Sequence, residues 1–148
     1  MARQPCAQPQ RTSQEVNVVD SSVWIDFLNG RNVPYVRHLR ALLGSDEIIV
    51  GDLMLCDILQ GLESESAARE VETLLRRFEI VSMASETIAV AAARYFRFLR
   101  RRGITVSKTI DLLIGTWCIE NHRPLLHNDR DFRPMARHLG LMEVAVRE

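Results

Sequence analysis

The chain has 148 residues, 47% of them hydrophobic and 26% charged, which suits one globular domain and excludes global disorder. Nineteen basic and nineteen acidic side chains cancel, so bulk charge gives no argument for nucleic-acid binding; the longest apolar runs are far too short to span a membrane. Cys6, Cys56 and Cys118 form no C-x-x-C pair, and His38, His122, His127 and His138 form no zinc pattern, which excludes a disulfide framework and points to reduced thiols and a cytoplasmic protein.

Residues 1–14 are rich in Gln and Pro and show neither apolar periodicity nor the hydrophobic stretch of a secretory signal. They read as a disordered extension ahead of a single domain over 15–148. The β-branched run V-N-V-V-D at 16–20 predicts a first strand, followed by a helix capped by Ser21 or Ser22 and ended by Gly30. Pro34 opens a second helix with Val36, Leu39, Leu42 and Leu43 on one face. E-I-I-V at 47–50 predicts the second strand. The stretch 53–62 predicts a helix apolar nearly all round, hence buried, with Cys56 as a small core side chain. An amphipathic helix over 64–77 and a strand at 79–82 come next. Ser85 caps a long helix reaching about Arg102, apolar along Ile88, Ala92, Tyr95 and Leu99. Thr109 caps a helix over 110–121 in which Trp117 and Cys118 read as core. P-L-L-H at 124–127 predicts a fourth strand, a short helix follows Asp129, and 141–144 predicts a fifth strand. Strands alternating with helices predict an α/β fold with a mostly parallel sheet, whose chemistry gathers beyond the carboxyl ends of the strands.

Acids stand in unusual places. Asp20 ends the first strand, Asp57 and Asp111 lie in apolar helices, and Asp129 and Asp131 follow the fourth strand. A lone ionised carboxylate in apolar surroundings costs several kcal/mol or takes up a proton. Two carboxylates about 4 Å apart repel by roughly 4 kcal/mol at an effective dielectric near 20. A shared hard cation, Mg²⁺ or Mn²⁺, reverses the sign of that interaction, and the positive end of its helix favours Asp111 in ionised form. Each acid also has a simpler reading: Asp20 as a strand-end acceptor, Asp57 as half-exposed or paired with arginine, Asp129 and Asp131 as caps of the last helix. Ser22 reads as a cap or as a hydroxyl orienting a ligand, and His127 as structural. The joint placement favours the cation.

V-D-S-S-V-W-I-D-F-L at 19–28, D-I-L-Q-G at 57–61, T-I-D-L-L-I-G at 109–115 and L-L-H-N-D-R-D-F at 125–132 resemble, in order, the four motifs of PIN-domain ribonucleases of the VapC toxin type. The resemblance covers about residues 16–145. It implies a three-layer α/β/α sandwich around about five short strands, and a metal-dependent endoribonuclease that cuts structured RNA such as tRNA or ribosomal RNA. It also implies the toxin of a type II toxin–antitoxin pair, a homodimer restrained by a VapB-like antitoxin. Carried over, the acidic quartet is Asp20, Asp57, Asp111 and Asp129, with Ser22 as polar helper and Asp131 as accessory acid. The family's second motif normally has glutamate where this chain has Asp57. Aspartate reaches about 1 Å less far, so an attenuated enzyme, or a module that binds RNA or antitoxin without cutting, is the alternative.

Arg94, Arg97, Arg100, Arg101, Arg102 and Lys108 form a basic stretch with no acid between them. Arg100, Arg101, Arg102 and Lys108, leading into the helix of Asp111, are the candidate RNA contacts; a solvated helix face is the other reading of the arginines. A haloacid-dehalogenase-like phosphatase requires a second acid at position 22, where this chain has serine. A receiver domain requires a late-strand lysine, whereas Lys108 precedes a helix.

Overall fold

A computed structural model of the chain describes residues 16–45 and 47–146; the expected N-terminal extension, 1–14, and Cys6 lie outside them. The elements run β1 (Asn17–Val19), α1 (Ser21–Leu28), α2 (Pro34–Leu42), β2 (Ile48–Gly51), α3 (Asp52–Gln60), α4 (Glu65–Leu75), β3 (Glu79–Val81), α5 (Glu86–Arg101), α6 (Thr109–Glu120), β4 (Leu125–Leu126), a 3₁₀ turn at Arg130–Phe132 and α7 (Arg133–Leu139). The four strands form one parallel sheet in the order β3-β2-β1-β4. Strands this short that are buried on both faces use β-branched residues and leucine throughout rather than in alternation. Val18, Val19, Val50, Leu125 and Leu126 are wholly buried.

The fifth strand expected at 141–144 is reduced to one parallel bridge between Leu125 and Glu143. The Leu125 N–H donates to the Met142 carbonyl and the Val144 N–H to the Leu125 carbonyl, and the ladder goes no further. With β4 only two residues long, little edge remains for a neighbour to extend.

Other local expectations shift for identifiable reasons. The cap of α1 is Asp20, whose carboxylate accepts from the Ser22 N–H, in place of either serine. Thr109 is already helical; Lys108 holds the cap position of α6 with no side-chain bond. Ser64 and Ser85 cap α4 and α5. Helix α3 is not fully buried: Met54 and Ile58 face the core, whereas Cys56 is exposed and Asp57 half-buried. Its apolar composition serves one face against β2, α1 and α4, and its other face borders a cleft. Trp24 and Cys118 are core as expected, and Trp117 is partly buried against it.

Asp52 anchors the start of α3. Its carboxylate accepts from the Met83 N–H at 2.9 Å and from the Ser82 hydroxyl at 3.3 Å, pinning the helix to the exit of β3. Gly51 lets both methionines pack against the chain here, since a Cβ would lie 2.3 Å from Met83 Sδ and 2.7 Å from Met54 Sδ and would force those side chains to shift.

Candidate metal centre

β1 has β2 on one side and β4 on the other, so the chain leaves β1 in one direction and returns on the opposite flank. The crevice between the ends of β1 and β4 is the topological switch point, where ligands of open parallel sheets bind. Asp20 stands at the end of β1 and Asp129 three residues beyond β4. Asp111, in the first turn of α6, faces them. The three acids line one cavity of about 460 Å³ together with Ser21, Ser22, Ile25, Asp57, Lys108, Thr109 and Ile110. A larger cleft of about 520 Å³ lies at the opposite, amino end of β2 and β3, lined by Leu43, Leu74 and Phe78 among others, and among the described residues it holds no acid cluster.

Asp111, Asp129 and Asp131 each present a carboxylate oxygen within 4.8 Å of the others. Asp20 is 2% exposed. Its Oδ2 accepts from the Ser22 N–H at 3.0 Å and from the Ser22 hydroxyl at 2.6 Å, but its Oδ1 is buried with no partner. Asp111 Oδ2 is likewise buried and unpartnered. Unsatisfied buried carboxylate oxygens are costly. Burial raises the Asp20 pKa despite the Ser22 hydrogen bonds. Burial, then the charges of Asp20 and Asp129, push Asp111 up to about 7 against the pull of Lys108. Beneath them, burial and the Asp20 charge keep the Cys118 thiol protonated.

Smaller contacts fix the geometry. The Ser22 hydroxyl donates to Asp20 and accepts from the Asn128 N–H at 3.1 Å, tying the exit of β1 to the loop after β4. Asp129 Oδ1 accepts from the Asp131 N–H and so caps the 3₁₀ turn, while Ser107 donates to Asp131 Oδ2 at 2.9 Å. The cap and ligand readings of Asp129 are therefore compatible, since its Oδ2 stays free to meet Lys108 Nζ at 3.6 Å. Asp129, Asp111 and Asp131 in turn raise the Lys108 pKa.

Asp57 lines the cavity but stands apart from the cluster. Its Oδ2 accepts from the Ser21 hydroxyl at 2.6 Å and its Oδ1 from the Gln60 amide at 3.1 Å. Of the basic candidates, Lys108 reaches the cavity. Arg100, Arg101 and Arg102 end α5 on the exposed surface and do not line it; Arg100 lies over Phe96 and Arg102 stacks on Phe98 with its guanidinium 3.6 Å from the ring centre.

His127 carries more than a packing role. Its Nδ1 accepts from the Asp129 N–H at 3.1 Å, which leaves the proton on Nε2, and Nε2 donates to Glu143 at 2.6 Å. The unusual histidine in L-L-H-N-D was a visible signal, but its partner Glu143 sits 16 residues away in a segment read as a strand.

The acids that line this cavity come from all four sequence motifs, and a family model of the PIN domain matches residues 18–138. The chain belongs to the PIN-domain family. Relatives include a VapC ribonuclease of Mycobacterium bovis and ribonuclease VapC11 of Mycobacterium tuberculosis, each 25% identical over 132 residues that cover 88% of this chain and 98% of the relative. Among solved structures, the PIN fold here is similar to VapBC2 of Rickettsia felis bound to a promoter DNA fragment (TM-score 0.71, 18% identity, 88% of this chain and 98% of that one). It is also similar to FitAcB of Neisseria gonorrhoeae (TM-score 0.68, 11% identity, 87% and 96%). The VapC-type resemblance and the α/β/α architecture read from the motifs are borne out.

The donor set of this PIN domain fits a divalent cation. It offers oxygen alone, at least three carboxylates converge, and two buried oxygens lack a partner.

Proposed function

We propose that this protein is a metal-dependent endoribonuclease, the toxin of a type II toxin–antitoxin pair, hydrolysing phosphodiester bonds of structured RNA. The observation that carries the reading is the meeting of Asp20, Asp111, Asp129 and Asp131 at the switch point, with Asp20 Oδ1 and Asp111 Oδ2 unpartnered. Curated relatives named as VapC ribonucleases support the RNA substrate, and neighbours solved as VapBC complexes support a VapB-like antitoxin as partner. A homodimer and a cytoplasmic setting complete the proposal; no helix among the described residues is long and apolar enough to cross a membrane.

Asp111, Asp129 and Asp131 would hold Mg²⁺ or Mn²⁺, with Asp20 completing the set. Bound there, the cation supplies charge neutralisation for the scissile phosphate and acidification of a water. The protein's own groups prepare that chemistry. Ser22 fixes the Asp20 carboxylate through two hydrogen bonds to Oδ2, which leaves Oδ1 buried and without a partner. His127, held by Glu143, fixes the backbone of Asp129. Lys108, at the mouth, is placed to draw an RNA phosphate toward the acids. Asp57 supports the centre indirectly, its carboxylate joining α3 to α1 through Ser21.

The test is cleavage of labelled tRNA and ribosomal RNA with Mg²⁺ or Mn²⁺. Cleavage is expected to stop in excess EDTA and resume on adding the metal. Equal cleavage in EDTA would overturn the metal assignment.

A further inference from the structure

The acids at the switch point are net negative, and RNA is a polyanion. Something beyond Lys108 must hold the strand, yet Arg100, Arg101 and Arg102 do not line the cavity. A second cavity, of about 360 Å³, opens on the other side of Asp129. Asp129 is a wall common to both. The second cavity is lined chiefly by polar side chains, among them Arg130 of the 3₁₀ turn, Arg133 at the start of α7, Asn128 and Tyr35 of α2.

With Lys108 offsetting Asp129 from outside, the two guanidinium groups outnumber the one remaining carboxylate of this cavity. Glu143 also lines it, but that carboxylate is engaged at 2.6 Å by the His127 ring. Asp129 is engaged by Lys108 and by the Asp131 N–H. Arg130 and Arg133 are both exposed, and neither has a carboxylate partner among the described residues. Two free guanidinium forks suit phosphate oxygens, since each can donate in pairs. Tyr35 adds an aromatic ring and Asn128 an amide, which suit the face and edge of a base.

We infer that this cavity is the subsite for the nucleotide adjoining the scissile phosphate, with Arg130 and Arg133 holding its phosphate and Tyr35 and Asn128 its base. The inference rests on the RNA-directed reading above. An RNA strand then runs from Lys108, over the acids, past Asp129 and into the arginine cavity. Arg130 lies inside the acidic fourth motif and Arg133 directly after it, so neither stands out as part of a basic run.

The experiment is fluorescence anisotropy of the full-length protein with a 5′-labelled single-stranded RNA dodecamer of mixed sequence in EDTA, where no cleavage is expected. The double substitution Arg130→Gln, Arg133→Gln is expected to weaken binding at least tenfold. It should also make the slope of log affinity against log salt shallower by about 0.7 per lost phosphate contact. Arg137→Gln makes the same charge change on exposed α7 outside the cavity and is expected to change binding less than twofold. Binding by the double variant equal to wild type, an equal loss per charge in Arg137→Gln, or no RNA binding by wild type overturns the subsite. Metal-dependent cleavage by wild type with no arginine effect sinks the subsite and leaves the nuclease standing. Arginine-dependent binding without cleavage under any metal supports the subsite and sinks the nuclease.

Discussion

The two walls of the central cavity treat their carboxylates differently. On the β4 and α6 side, Asp111, Asp129 and Asp131 crowd within 4.8 Å, and buried oxygens of Asp111 and neighbouring Asp20 find no donor. On the α3 side, Asp57 has both oxygens bonded, to Ser21 and Gln60. One wall is frustrated without a cation, and the other is already satisfied. The difference teaches that an acidic motif can keep its place in the fold while its carboxylate turns to protein partners. Shortening the side chain by one methylene is a sufficient cause, because Asp57 stays near α3 and meets the Ser21 hydroxyl first.

The largest effect expected is on the frustrated wall. Asp111→Asn should lower metal-dependent RNA cleavage by a hundredfold or more, on the order of what loss of a positioned charge in such a site costs. The same change should stabilise the metal-free fold, because it removes a buried charge repelled by Asp20 and Asp129. A thermal melt in EDTA that falls on substitution would break the picture of strain. In wild type, Mg²⁺ or Mn²⁺ at about a hundred times its dissociation constant should add about 2.7 kcal/mol, roughly 5–10 °C in Tm for a domain of this size. Asp111→Asn should lose most of that gain.

The satisfied wall gives a smaller effect of opposite sign. Asp57→Glu adds about 1 Å of reach and should raise cleavage by about tenfold, measured under single-turnover conditions. No gain under Mg²⁺ and Mn²⁺ alike would mean that the α3 wall contributes through the Ser21 bond alone. Lys108→Gln should raise KM about threefold with little change in kcat, since its exposed ammonium acts on the approach of the phosphate.

A pH series separates the walls last. With the Asp111 pKa raised to about 7 in the folded state, the native protein binds more protons than the unfolded chain. Its contribution to stability is therefore full below the ordinary carboxylate range and is lost as pH rises toward and through 7. In EDTA, Tm should fall modestly between pH 5 and pH 8, and the fall should vanish in Asp111→Asn. Cation binding should release protons near pH 6, readable by calorimetry in buffers of different ionisation heat, and should tighten as pH rises.

Much of this was legible in the chain. The β-branched and leucine runs located β1, β2 and β4 because short strands buried on both faces have little other choice of residue, whereas the exposed edge strand β3 showed through Ile80 and Val81 alone. On the frustrated wall, Asp111 showed itself as a charge among apolar neighbours, and Asp20, Asp129 and Asp131 as acids at or just after strand ends. Helix α3 misled by the same logic: its apolar composition reads as burial, yet Cys56 is exposed and Asp57 borders a cleft. Asp20 as a helix cap was hidden because the two serines after it are equally good caps by type. Pairings across long separations, Ser21 with Asp57 and His127 with Glu143, left no local trace. The arginine stretch 100–102 was read by its density. Where those side chains end up depends on how α5 stops, and there they stack on Phe96 and Phe98.

The bond from the Asn128 N–H to the Ser22 hydroxyl spans 106 positions of the chain. It closes only after β1 has received β4, the last of the four strands in chain order. A polypeptide still being synthesised thus carries Asp20 and Asp111 without Asp129. However early β1 and α6 fold, the acidic cluster is incomplete until Asp129 has been made and β4 has docked.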